Sequence, residues 1–291
     1  MFASMRLGHL AFEVSNLARW RGFCDTVLGL GAGMPAGEGR VDYATGRAGQ
    51  TLTVTQGPRD DLAGIGLELP DAAALSRLSA RLAGAGIATT GPDVAFRDPE
   101  GLAIRAYVGP AGAGASPDLP MLGHAALVVS DLASMERFYV DVLGFGVTER
   151  LSTRVGPIDV RGIFLHCDEV HHTLALFALP LRRRLHHFML EVPRLDMVGH
   201  AFERAKAGKV PLSLGLGQHP APDGTFSFYG CSPSGFDFEV GTASGRIDPA
   251  EWSEMVTSTT SSWGHKPTMG LQLRTLREMM AAKLRGHARA A

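Results

Sequence analysis

Two stretches of the chain, Leu7–Leu30 (LGHLAFEVSNLARWRGFCDTVLGL) and Leu122–Phe145 (LGHAALVVSDLASMERFYVDVLGF), follow one pattern. A shift of 115 positions (124 minus 9) lays Gly8-His9 on Gly123-His124, Val14-Ser15 on Val129-Ser130, Leu17-Ala18 on Leu132-Ala133, Phe23 on Phe138 and Val27-Leu28-Gly29 on Val142-Leu143-Gly144. Chance does not keep so many identities in register, so the chain repeats itself. Each copy predicts a strand with alternating apolar residues, a helix start at Ser-Asn or Ser-Asp, an amphipathic helix, and a glycine that ends it.

A second pair lies downstream. Gly64–Pro70 (GIGLELP) resembles His187–Pro193 (HFMLEVP), and each is followed by a helix-like segment, AALSRLSARLAGAG or MVGHAFERAKAGK, and a strand-rich tail. Four modules therefore start near Leu7, Leu62, Leu122 and Leu185, each predicted as a βαβββ unit, and two modules make one domain of an α+β fold. The Gly-, Pro- and Ala-rich run from Gly109 to Met121 has the composition of a linker. The expected organisation is an N-terminal domain over 1–110, a linker over 111–120, a C-terminal domain over 121–245 and a tail over 246–291.

Composition narrows the function. With 28 Lys plus Arg against 29 Asp plus Glu, nothing in the charge balance calls for a nucleic-acid or anionic-membrane partner. No apolar stretch reaches the roughly 18 to 20 residues that span a bilayer, and the N-terminus lacks a basic segment followed by an apolar run. Cys24, Cys167 and Cys231 are far apart, an odd number without CxxC spacing, which fits a reducing cytoplasm better than a disulfide framework. The expected partner is a small, weakly charged molecule.

A lone histidine on an apolar face is more often a hydrogen-bonded core residue than a ligand. Here, of eleven histidines, His9 alone precedes residue 120. Comparing repeats, Gly64 stands where the later half has His187, and Arg105 stands where it has Glu239. A three-ligand site of His124, His187 and Glu239 is thus complete only in the second half, and one metal per chain is expected. Two neutral imidazoles and a carboxylate hold a divalent ion on one face and leave about three positions for a chelating substrate and O2.

At these residues the sequence resembles the extradiol ring-cleavage dioxygenases of the vicinal oxygen chelate superfamily, and among them most closely the 2,3-dihydroxybiphenyl 1,2-dioxygenase group. The carrying segments are LGHAAL at His124, FLHCDEVHHTLAL at His172, LHHFMLEV at His187, SFY at Ser227–Tyr229, DFEVG at Glu239 and WGHKP at Trp263–Pro267. The resemblance implies an open, barrel-like sheet in each domain, Fe(II) (alternatively Mn(II)) at His124, His187 and Glu239, and O2 as co-substrate. It implies His172 as the acid-base histidine on the O2 side, His219 and Tyr229 as contacts of the catechol hydroxyls, and Asp223 as their hydrogen-bonding support. His219 and Asp223 are four apart (HPAPD), one residue more than the family pattern. The implied reaction opens a catechol, 3-substituted or biaryl, next to its diol and yields a yellow 2-hydroxy-6-oxo-dienoate.

Strand alternation predicts that His186 points away from the site occupied by His187. His166, His171, His200, His265 and His287 are read as structural or solvent-exposed, and Val147 to Val155 with Phe188 as apolar walls of the cleft. The basic segment from Leu271 to the end is expected to form a solvated helix face or a subunit contact, within a homo-oligomer. Glyoxalases and antibiotic-resistance binding proteins share the module. A glyoxalase would need neither the SFY nor the extra histidines, and a pure binding protein would need no metal triad.

Overall fold

A computed structural model of the chain describes residues 5–110, 116, 118–155 and 158–275. The first half runs β1 (Arg6–Val14), α1 (Leu17–Gly22), β2 (Met34–Pro35), β3 (Arg40–Ala44), β4 (Thr51–Gln56), β5 (Asp61–Leu69), α2 (Ala72–Gly84), β6 (Val94–Arg97) and β7 (Ala103–Val108). The second runs β8 (Met121–Val129), α3 (Leu132–Arg137), β9 (Gly146–Val155), β10 (Ile158–His166), β11 (Leu174–Ala178), β12 (Leu185–Glu191), α4 (Leu195–Ala207), β13 (Leu212–Gln218), β14 (Phe226–Cys231) and β15 (Asp237–Thr242). Two short strands follow, β16 (Met255–Thr257) and β17 (Trp263–Gly264).

The local signals in the sequence act as expected. Asn16 and Asp131 cap α1 and α3, accepting from the backbone N–H of Arg19 and Ser134. Each helix continues into a π-helical segment, Phe23–Leu28 or Phe138–Leu143, that stops at a glycine in the left-handed region, Gly29 (φ 74°) or Gly144 (φ 86°). Ala74, Leu78 and Leu82 make the buried stripe of α2, and Val198, Ala201 and Ala205 that of α4. The second module departs from βαβββ. Only two strands follow α2, because the segment that would supply a third (Thr89-Thr90-Gly91-Pro92-Asp93) is turn-forming and leaves a single bridge from Thr90 to Ala95.

The strands form two sheets, in the orders β2-β3-β4-β1-β5-β7-β6 and β16-β9-β10-β11-β8-β12-β15-β14-β13-β17. Within each half, the first strands of the two modules pair antiparallel, β1 with β5 and β8 with β12. Each first strand also pairs parallel with the last strand of its own module. This pseudo-twofold places two modules' central strands side by side, so residues of distant modules can face one another. The final segment adds a strand to each edge of the second sheet, β16 beside β9 and β17 beside β13.

The core runs through both halves. Leu10, Phe12 and Val14 alternate inward on β1, and Phe12 meets Phe188 and Phe236 at 5.1 and 5.3 Å between ring centroids. Trp20 packs on Phe236, and Phe23 on Phe238. Burying such a side chain is worth roughly 1.5–3 kcal/mol and each aromatic pair about 0.5–1.5 kcal/mol more. This cluster therefore outweighs the polar links across the same junction, such as Arg184 with Glu100 at 3.0 Å. Phe188 belongs to it and is fully buried, so it does not line the cleft as the sequence suggested; alternation sends it to the face opposite His187. No helix among the described residues is long and apolar enough to cross a membrane.

Candidate metal centre

Three buried side chains from three adjacent strands converge on one point. His124 comes from β8, His187 from β12 and Glu239 from β15, the order in which those strands lie in the sheet. Their facing atoms are close: Nε2 to Nε2 is 3.0 Å, and Glu239 Oε2 is 3.3 Å from His124 Nε2 and 3.5 Å from His187 Nε2. Donors about 2.1 Å from one ion and 90–110° apart would themselves be about 3.0–3.5 Å apart, which matches this spacing.

The electrostatics of the cluster are those of a cation site. Glu239 is 0 % exposed, and its Oε2 has no hydrogen-bond partner of acceptable geometry despite the nearby imidazoles. A buried, unpaired carboxylate oxygen is costly unless a cation sits against it. Burial pushes the Glu239 pKa up, but the imidazoles of His124 and His219 beside its two oxygens outweigh burial and hold it well below the usual carboxylate range. Burial first, then His186 and His124, keeps His187 far below the usual imidazole value, so it is the neutral form that a metal ligand requires. The residues present therefore fit a divalent ion.

Around this triple stand the other residues singled out in the sequence. The His172 ring lies 4.1 Å, centroid to centroid, from that of His124, and burial, then His124 and His171, hold it neutral. His219 Nε2 is 3.0 Å from Tyr229 OH and 3.4 Å from Glu239 Oε1, and Tyr229 is the cross-strand neighbour of Glu239. Burial lowers the His219 pKa, yet Glu239, Asp223 and the Thr260 carbonyl raise it further, to about 9. Asp223 does not bond to His219: Oδ2 is 4.0 Å from Nδ1, which instead donates to the Thr260 carbonyl. The extra residue in HPAPD leaves Asp223 accepting from Thr225 Oγ1 at 2.6 Å and grouped with His171 and His172.

Residues 121–240 match the family model of the Glyoxalase/Bleomycin resistance protein/Dioxygenase superfamily, and that span holds all three converging side chains. A biphenyl-2,3-diol 1,2-dioxygenase of Paraburkholderia xenovorans (strain LB400) is 38% identical over 89% of this chain and 94% of its own. This chain belongs to the extradiol ring-cleavage dioxygenases of the vicinal oxygen chelate superfamily. An iron-dependent extradiol dioxygenase of Rhodococcus jostii (strain RHA1) is 30% identical over 91% and 98% of the two chains. The crystal structure of a 2,2',3-trihydroxybiphenyl 1,2-dioxygenase from Sphingomonas wittichii strain RW1 superimposes with a TM-score of 0.78 at 27% identity, covering 90% and 99%.

The dioxygenase uses more of its histidines around this centre than strand alternation indicated. The β8/β12 pairing shifts register between Leu185 and His187, so His186 is the extra residue of a bulge. It stays out of the donor triple, but its Nδ1 lies 2.8 Å from His187 Nδ1 and fixes that ring. His171 Nδ1 stands at 3.0 Å from His172 Nδ1 in the same way. His265, read as structural or solvent-exposed, packs tilted on His219 at 4.7 Å and edge-on to Tyr229 at 5.4 Å, and is itself held by Ser261 and Ser227. His166 is buried against Thr148, His200 is exposed on α4, and His287 lies outside the described residues, as does the basic segment beyond residue 275.

The walls beside the centre are apolar. A cluster separate from the main core joins Ala126, Leu151, Ala175 and Phe177, with Val160, Phe164 and Leu179 at its margin. Phe164 meets His172 edge-on at 5.0 Å, and Phe177 approaches His186 at 5.7 Å. Of the stretch from Val147 to Val155 suggested by the sequence, Leu151 belongs to this wall, whereas Val147 packs on the main core.

Proposed function

We propose that this dioxygenase holds one Fe(II) through His124, His187 and Glu239, and with O2 cleaves the ring of a 3-substituted or biaryl catechol beside its diol. The observation that carries this reading is the mutual 3.0–3.5 Å spacing of two imidazole nitrogens and an unpartnered, buried carboxylate oxygen. Iron is favoured over manganese by the iron-dependent relative, although oxygen and imidazole donors suit both ions. When bound, the ion supplies Lewis acidity to a chelating diol and electrons toward O2.

The side chains then divide the remaining work. His219 donates an Nδ1–H hydrogen bond to the Thr260 carbonyl; a divalent ion on Glu239 would offset the carboxylate charge that holds this imidazole protonated, leaving Nε2, beside Glu239 and Tyr229, to take a proton from a catechol hydroxyl. Tyr229 OH hydrogen-bonds at the same place and fixes the diol's orientation. With His172 Nδ1 engaged by His171, its Nε2 is left to deliver the proton that the departing oxygen needs. Burial lowers the His171 pKa, and Asp223, grouped with this histidine pair, offsets part of that loss rather than bonding to His219. The apolar wall of Leu151, Phe164 and Phe177 takes the ring substituent and keeps water from the reacting face.

The same reading makes residues 121–245 the catalytic domain and 1–110 a metal-free companion, joined by 111–120 and followed by the 246–291 tail. It is supported by the first sheet ending at Val108 and the second beginning at Met121. We place the enzyme in the cytoplasm as a homo-oligomer; the three free cysteines, two of them buried, accord with a reducing compartment.

The test is a substrate panel. Protein reconstituted anaerobically with Fe(II) is mixed with 2,3-dihydroxybiphenyl, 3-methylcatechol and catechol, and O2 uptake and yellow product are followed. Turnover of the biaryl diol with the highest kcat/KM is expected, whereas isomerisation of a methylglyoxal-glutathione adduct in its place would overturn the reading. In the same panel, Phe164→Ala should lower kcat/KM for 2,3-dihydroxybiphenyl by roughly tenfold and that for catechol much less, since only the larger substrate reaches the wall.

A further inference from the structure

The first sheet carries a cavity of about 920 Å³, lined from β1, β3, β4, β5, β6 and β7 and by the segment after α2. That is the size of a small-molecule site. Its origin lies in what the repeat has lost. The pair Gly64 and Ala103 occupies the register of His187 and Asp237, Gly66 and Arg105 that of Met189 and Glu239, and Ala95 that of Tyr229. Where the second half fills its sheet with three polar side chains, the first has glycine and alanine, and a guanidinium replaces the metal-binding carboxylate.

The cavity's remaining charges are unbalanced. Arg40, Arg97 and Arg105 line it against a single carboxylate, Asp42. Asp42 is spent: Arg40 grips both its oxygens at 3.0 Å, and Thr53 Oγ1 donates to it at 2.6 Å. Since the Thr53 hydrogen goes to Asp42, its oxygen accepts from His9 Nε2 at 2.9 Å, which leaves His9 Nδ1 as an acceptor. Burial first, and Arg105 next, push His9 down to about 4, so it is neutral at pH 7 and does not add to the charge. Arg105 lies over the Tyr107 ring at 4.8 Å, and its one ion pair among the described residues is with exposed Asp93 at 3.7 Å, a contact worth little in water. Its planar fork of donors matches a carboxylate.

We propose that this cavity binds a small monocarboxylic acid with a flat apolar body, its carboxylate on Arg105 and its body over the shallow floor of Ala11, Ala63, Gly64, Ala95 and Ala103. Such an acid has two sources: the ring-opened product of this enzyme, or an aromatic acid formed elsewhere. The site lies on the other sheet from the metal centre, and its occupancy does not depend on how that centre is read.

Calorimetric titration of the anaerobic, Fe(II)-loaded full chain with benzoate tests it. Binding at one site is expected, unaffected when 2,3-dihydroxybiphenyl saturates the metal centre in the absence of O2. Arg105→Ala should weaken benzoate by roughly tenfold or more, as the loss of a charge-assisted pair does, and Ala95→Phe should fill the cavity and abolish binding. Metal content and catechol turnover should be unchanged in both, which also reports that they fold. Displacement of benzoate by the yellow acid identifies the enzyme's own product as the source, while its failure to displace an Arg105-dependent benzoate points to an external aromatic acid. The proposal is overturned if benzoate gives no binding, if Arg105→Ala binds it as wild type does, or if the diol displaces it.

Discussion

Glu239→Ala is expected to leave a folded protein that no longer retains stoichiometric metal and has lost nearly all ring cleavage. Even outer partners of metal ligands are worth about 10–100-fold in affinity or activity, so removing a ligand itself should cost roughly a thousandfold or more. Stability separates this role from a merely structural one. Without metal, the variant leaves His219 without the carboxylate that pairs with it, so it should melt no higher than wild type. With metal at about 100 times its Kd, the wild type gains about 2.7 kcal/mol and the variant nothing, so the gap between them widens. Thermal melts with and without Fe(II) give the answer; parallel metal-induced shifts in both proteins would show that Glu239 holds no ion.

His172→Phe should lower turnover by roughly a hundredfold or more, as expected for loss of a general acid, while metal content stays at the wild-type level. The ring is retained in size, so its packing against His124 at 4.1 Å and against Phe164 at 5.0 Å survives. What is removed is the one nitrogen pair that connects His171 to the reacting face. Single-turnover mixing of the anaerobic enzyme–diol complex with O2 should show normal diol binding and slow product formation. Unchanged product formation would take the proton-delivery role away from His172.

The fold was legible in the sequence because its signals are local and repeated. Glycine stops at Gly29 and Gly144, caps at Asn16 and Asp131 and the apolar runs of β1 and β8 each depend on a few adjacent residues, and each occurs twice; β1 alternates, whereas β8 is buried continuously from His124 to Val129. The converging triple was legible for a related reason. One half of the repeat shows, at Gly64 and Arg105, what the same positions look like without metal chemistry, and the pairings Gly66 with Arg105 and Met189 with Glu239 put those positions in equivalent registers.

What escaped the sequence is non-local or breaks the strand period. The bulge at His186 cancels the strict alternation that sent this residue away from His187. The Thr260 carbonyl that orients His219 arrives from 41 residues downstream, in a segment with no periodicity to betray it, and His265 returns on the same segment to meet Tyr229 edge-on. Phe188 is a different case, since alternation, applied to it as it was to His186, would have placed it in the core.

Diffraction measured on both sides of the iron absorption edge, from crystals of the anaerobically Fe(II)-loaded protein, tests the central claim most directly. The account predicts one anomalous peak per chain, about 2.0–2.2 Å from His124 Nε2, His187 Nε2 and a Glu239 oxygen. Absence of a peak there, or a peak held instead by His171, His172 and Asp223, would contradict it.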